Sequence, residues 1–193
     1  MKDFQTFRHL NRDEIQIIYS SLIKISPIIA SKFSNFEELL FVLTNKQISY
    51  KKNPKVFIIS KQLSILLKKI NLNNKIRLGG LYFGFLKRGE FYLSIEGAEY
   101  LYKKGLIPGS QQIYANKNGE KSILYGNHIL KKMIIEKLYN FNRNDILLVF
   151  NESEELISLS KAKIDGNNFK NVKNNEIIAF NLSDKGVYLR ERQ

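Results

Sequence analysis

A chain of 193 residues with 44% hydrophobic side chains is long enough for one generous domain or two small ones with packed cores, and lies far from the composition of a disordered polymer. It contains no cysteine, which excludes disulfides, thiolate zinc centres and a cysteine nucleophile together. With 31 basic against 18 acidic side chains the net charge is +13, which favours a polyphosphate or another anionic surface; a generically basic, Lys-, Asn- and Ile-rich surface is the alternative.

No charged start at the N-terminus leads into an apolar core and a small-residue cleavage site, and Lys24 interrupts the most apolar early stretch, so a soluble intracellular protein is expected. Asn11 ahead of Asp13 and Glu14 signals a helix start, and Ile15, Ile18, Leu22, Ile25 and Ile29 recur at helical spacing. Pro27 should kink or divide that helix. The runs LLFVLT (39–44), QISY (47–50) and VFIIS (56–60), parted by Asn, Lys and Pro, have the character of antiparallel strands. Ser60 can cap a second helix with Leu63, Leu66, Leu67 and Ile70 on its apolar face and Lys61, Lys68 and Lys69 opposite. The stretch 78–94 suggests a hairpin turning at Arg88-Gly89, and Ser94 with Gly97 leads into a short helix.

Around GLIPGS (105–110) every periodicity breaks, which places a domain boundary there: an N-terminal domain over 1–108 and a second over 109–193. Beyond it the pattern predicts a strand running to Tyr125, a short helix from Gly126 to about residue 136, and strands near 146–150, 156–160, 176–180 and 186–190. One early helix among several short strands suggests a small, partly closed barrel. Residues 1–110 carry 18 basic and 8 acidic side chains, and residues 111–193 carry 13 and 10.

The stretch SILYGNHILKK (122–132) is the candidate site. On a helix, His128, Lys131, Lys132 and Ile135 share one side, with Ile129, Leu130, Met133 and Ile134 on the other. Gly126 and Asn127 would then sit at a helix start, whose unpaired N–H groups suit a phosphate oxygen. Catalysis by His128 lacks a partner carboxylate on its face, and the other histidine, His9, lies in the N-terminal part, so neither a catalytic nor a metal role is assigned. GGLYFG (79–84) lacks the spacing of a phosphate-binding loop, and no cofactor is expected. FGFLKR (83–88) has part of an aromatic RNA-stacking motif but not the Arg-Gly that should precede it; Leu81, Phe83 and Phe85 alternating on one buried face is the preferred reading. Lys61, Lys68 and Lys69 form a possible secondary RNA surface or a solvated helix face. Lys170, Lys173, Lys185, Arg190 and Arg192 could extend the surface begun by Lys131 and Lys132.

Three motifs, RLGGLYFGFL (77–86), ILYGNHILK (123–131) and IAFNLSDKGVYLRE (178–191) with Phe180, Asp184, Gly186, Tyr188 and Arg190, resemble the Nip-seven ribosome-biogenesis family from about residue 50 to the end. The resemblance implies an α+β protein: an N-terminal α/β domain with an antiparallel sheet, followed by a C-terminal PUA-like mixed β pseudo-barrel. It implies an RNA-binding assembly factor of the large ribosomal subunit acting in pre-rRNA processing, with no known catalytic activity. In PUA domains RNA generally lies against the first helix and adjoining late strands, which corresponds here to Gly126, Asn127, His128, Lys131 and Lys132. Where some family members carry a basic run before the final strand pair, this chain has NNEIIAF with Glu176 and Ile177, and Lys170 and Lys173 upstream are expected to substitute. Lys131, Lys132, Lys170, Lys173 and Arg190 are thus the expected RNA contacts. The partners expected are ribosomal or pre-ribosomal RNA and other assembly proteins, with neither membrane nor small-molecule substrate. The expected setting is the cytoplasm, or the nucleolus in a eukaryote. An RNA-modifying enzyme using the PUA domain as a substrate grip is the alternative, and a protein-binding scaffold a third.

Overall fold

A computed structural model describes residues 5–45, 53–70 and 79–190. The chain divides into two compact units, Met1–Leu106 and Ile107–Gln193.

The first unit is built on a five-stranded antiparallel sheet whose spatial order follows the chain: β1 (Gln5–His9), β2 (Leu40–Asn45), β3 (Lys55–Ile58), β4 (Leu81–Lys87) and β5 (Glu90–Leu93). Between β1 and β2 runs α1 (Arg12–Ile25), opened by a capping box in which Asn11 and Glu14 satisfy each other's backbone N–H groups. Glu14 also holds Arg8 through two hydrogen bonds of 2.8 and 2.9 Å. Ile18 and Leu22 are buried, and the helix ends at Ile25 because Pro27 begins a separate 3₁₀ turn. Ser60 accepts the Leu63 N–H at the start of α2 (Lys61–Ile70), and Ser94 accepts that of Gly97 at the start of α3 (Ile95–Lys103).

Two expectations change in this unit. Leu66, assigned to the apolar face of α2, is exposed, while Leu63 of that face packs on the Phe7, Phe41 and Phe57 cluster and Ser64 beside it is buried; the side chains of Leu67 and Ile70 lie outside the described residues. Nor do Leu81, Phe83 and Phe85 share one buried face: a bulge between Val56 and Phe57 shifts the β3–β4 register, leaving Phe83 buried and Phe85 half-buried. Arg88 and Gly89, both at positive φ, turn the β4–β5 hairpin as the sequence suggests. The QISY strand lies outside the described residues, and Lys68 and Lys69 are described only as backbone.

The second unit is a mixed, curled five-stranded sheet in the order β6-β8-β9-β10-β7, comprising β6 (Gln112–Tyr114), β7 (Ile129–Leu130), β8 (Ile146–Phe150), β9 (Leu156–Ala162) and β10 (Ile177–Asp184). The β6–β8 pair is parallel and the others antiparallel. The sheet wraps around Ile113, Ile123, Leu147, Val149, Phe169 and Ile178, all buried. Here the expected helix at 126–136 is displaced. The helix is α4 (Lys117–Leu124), capped by the Asn116 side chain on the Gly119 N–H at 2.9 Å, and of ILY, expected as a strand, Ile123 and Leu124 end the helix and Tyr125 is its C-cap. Residues 126–136 instead contain a turn, the two-residue strand β7 and a 3₁₀ turn at Lys131–Met133. The strand expected at 186–190 is also a helix, the single turn α5 (Val187–Arg190).

Candidate nucleic-acid interface

Gly126 stands at the end of α4, not at the start of a helix. Its φ is +89°, its N–H donates to the Ile123 carbonyl at 2.9 Å, and the Asn127 N–H donates to the Ser122 carbonyl at 3.3 Å. These paired bonds with a left-handed glycine close the last turn. A helix C-terminus carries the negative end of the backbone dipole, so the free-amide phosphate cradle expected at Gly126 is absent from this position.

The carbonyls of that last turn are satisfied by side chains arriving from β10 and α5. Asn181 donates to the carbonyls of Ile123 and Asn127 at 3.1 and 3.3 Å, and Arg190 donates to that of Leu124. The Arg190 guanidinium makes two 3.0 Å bonds with Asp184, a residue only 4% exposed. The hydrogen bond to Asp184 raises the Arg190 pKa, so the guanidinium stays charged. Of the expected contacts, Gly126, Asn127 and Arg190 therefore belong to one knot that fastens β10 and α5 to α4. Arg190 faces an internal carboxylate.

The four lysines come together. The Lys131 N–H donates to the Glu176 carbonyl and that of Lys132 to the Asn174 carbonyl, each at 3.0 Å, which lays the 3₁₀ turn beside the segment leading into β10. The Lys131 ammonium donates to the carbonyls of Lys170 and Val172 at 2.8 and 2.9 Å and lies 5.5 Å from the Phe169 ring centre. It fixes the 3₁₀ turn Gly166–Asn171, from which Lys170 projects. Lys132, Lys170 and Lys173 are exposed on this edge, with Glu176 among them. Lys132 also borders a groove of about 620 Å³ shared with Lys117, Ser122, Met133 and Glu152.

Along the same β7–β10 ribbon lies an exposed aromatic pair, joining His128, an expected contact, to Phe180, which the sequence does not mark as a site. His128 stands edge-on to Phe180, with ring centres 5.3 Å apart at 86°, and both are exposed. Lys161 of β9 is the direct cross-strand partner of Phe180 and is exposed. Leu182 and, at the end of α4, Tyr125 are also exposed. An open apolar surface of this kind beside cations suits a ligand with flat faces and negative charge. The available signal was Phe180 and Leu182 two apart in β10, but a register shift between Asn181 and Ser183 obscures that alternation.

Among the described residues there is no cluster of three or more His, Asp or Glu side chains that could hold a metal, and no helix long and apolar enough to cross a membrane.

Residues 111–193 match the UPF0113 PUA domain family. Over 187 residues the chain is 24% identical to the 60S ribosome subunit biogenesis protein NIP7 of Saccharomyces cerevisiae, covering 95% of this chain and 96% of that one. It is 25% identical over 146 residues to the NIP7 homolog of Pongo abelii, covering 73% of this chain and 76% of the other. A UPF0113 protein of Archaeoglobus fulgidus is 25% identical over 116 residues, 58% of this chain and 64% of its own. Among solved structures, a conserved PUA domain protein from Thermoplasma acidophilum superposes with a TM-score of 0.58 at 13% identity, covering 97% of this chain and 99% of that one. A PUA domain protein from Aeropyrum pernix gives 0.60, also at 13% identity, over 97% and 90%. The fold is that of PUA domain proteins.

Proposed function

From a chain that carries a UPF0113 PUA domain over residues 111–193 and resembles the NIP7 ribosome biogenesis proteins along 95% of its length, we propose a non-catalytic RNA-binding factor of large-subunit assembly. It acts in pre-rRNA processing, with ribosomal or pre-ribosomal RNA and other assembly proteins as partners, in the cytoplasm or, in a eukaryote, the nucleolus. One observation carries the RNA reading. Segments some 40 residues apart in sequence bring Lys131, Lys132, Lys170 and Lys173 to one edge of the C-terminal sheet, along the ribbon that displays His128 and Phe180.

The chemistry divides between two kinds of group. Lys132, Lys170 and Lys173 neutralise phosphates and supply affinity with little regard to sequence, while Lys131 holds their backbone in place. Phe180 and His128 offer ring surfaces to unstacked bases, with Lys161 beside them for the backbone. A single strand or an irregular loop fits this surface, because bases in a regular duplex present no free faces.

The test is affinity for a short uridine-rich RNA in the full chain with Phe180→Ala or Lys132→Glu. Phe180 is exposed, so its loss should leave folding intact while weakening binding about tenfold, within the ~1–3 kcal/mol per base attributed to stacking. Unchanged affinity in both variants would contradict the proposal.

A further inference from the structure

We propose that the first unit holds a second single-stranded RNA contact, a base-stacking platform made by Phe85 and Tyr92 on the β3–β5 face with Lys55 beside them. The inference rests on the reading of the chain as an RNA-binding factor but uses none of the residues of the C-terminal surface.

Gly84 creates the platform. Its φ of +154° lies at the bulge in β4, and a side chain there would collide with the Tyr92 carbonyl and the Phe91 ring. The bulge turns Phe83 into the core and sends Phe85 to the opposite face, where it lies directly across from Tyr92 on β5 and Lys55 on β3. The two rings are parallel within 8°, their centres 5.1 Å apart. Tyr92 belongs to the edge strand and is 42% exposed, so it is the outer member of a stack that a base can lengthen. Its hydroxyl donates to Glu90 at 3.0 Å, which fixes the ring's attitude.

Charge decides between a nucleic acid and a protein partner. Around the pair stand Lys55, Lys87 and Arg88, all exposed, with the Glu90 carboxylate engaged by Tyr92; Glu96 acts on Tyr82, the neighbouring ring over which Lys55 lies at 5.9 Å. An aromatic stack ringed by cations matches bases joined by phosphates, and the open ring face requires those bases to be unpaired.

The chain has no tryptophan, so Tyr92→Trp installs a sole reporter and Phe180→Trp a separate one in the C-terminal unit. Titration with a short oligoadenylate should quench Tyr92→Trp saturably, while the same strand in a duplex should not. In the wild-type background Tyr92→Thr, which keeps a strand-favouring residue, should weaken oligoadenylate binding about tenfold. Quenching of Phe180→Trp alone, with Tyr92→Thr binding normally, overturns this inference and leaves the C-terminal reading standing. Quenching of Tyr92→Trp alone supports this platform and removes the C-terminal one. Silence of both reporters overturns both and hands the Phe85–Tyr92 face to a protein partner.

Discussion

Lys131 and Lys132 are sequence neighbours with different duties. The Lys131 ammonium spends two hydrogen bonds on the carbonyls of Lys170 and Val172. Lys131→Ala should therefore lower stability by about 1.5–3 kcal/mol, the range for a charge-assisted hydrogen bond left unmade. Lys132 is exposed, and Lys132→Ala should stay within about 0.5 kcal/mol of the parent. Urea unfolding of the two variants measures this difference, and equal stabilities would remove the structural role of Lys131. A double charge reversal at both positions would thus confound RNA contact with folding. Tyr139 gives a pH signature. Its hydroxyl donates to the Ile135 carbonyl at 2.6 Å, and burial pushes the phenol up to about 12. The unfolded phenol ionises near pH 10. The folded state therefore keeps a proton that the unfolded state gives up. The associated stability is complete below about pH 10 and is lost as the pH rises toward 12. Tyr139→Phe should show a shallower alkaline decline over that window than wild type, measured as urea midpoint against pH; superimposable declines would contradict the assignment.

Helix α4 is the element on which the candidate site turns. The Asn116 side chain caps its start and also donates to the Lys132 carbonyl at 2.9 Å, so one residue ties the helix to the turn that displays Lys132. Asn116→Ala should cost about 1 kcal/mol for the cap, seen as a lower urea midpoint, with no loss expected only if the cap is absent in solution. Legibility in the sequence follows the strength of such local signals. Helix α1 was readable because Asn11 and Glu14 mark its start, Ile18 and Leu22 keep its period, and Pro27 ends it. Helix α4 was not, because it has eight residues, contains Gly119, and buries only Gly119 and Ile123. Its end and C-cap, Ile123-Leu124-Tyr125, look like strand, and Gly126 then looks like a beginning where it is an end. Val187-Tyr188-Leu189 misled in the same way, since β-branched and aromatic residues there occupy a single helical turn beside the Asp184–Arg190 pair. Lys131 and Lys132 are expected on a helix that is not there, and Lys170 and Lys173 only from their place in the chain, yet the four meet, because backbone pairing of the Lys131–Met133 turn with the segment before β10 brings them together. The exposed Phe180 and the outward Phe85 were hidden by register shifts, which periodicity of two cannot register.

At the scale of the molecule, the expected α+β class holds: an antiparallel sheet with helices in the first unit and a curled mixed sheet in the second. Composition points to a polyanion without saying where it would lie; the proposed sites are a C-terminal edge rich in lysine and an aromatic pair in each unit. Net charge of +13 predicts binding that weakens steeply with salt, but that behaviour alone would follow from any basic surface. Location is the informative variable. The measurement that tests the central claim most directly is a salt titration of uridine-rich RNA binding, comparing wild type with Lys132→Glu, Lys170→Glu, Lys173→Glu combined. Each phosphate contact on a single strand contributes about 0.7 to the slope of log affinity against log salt, so three lost contacts should flatten it by about 2 and lower affinity at every salt concentration. Parallel titrations of equal affinity would contradict the account, leaving that lysine edge a solvated surface.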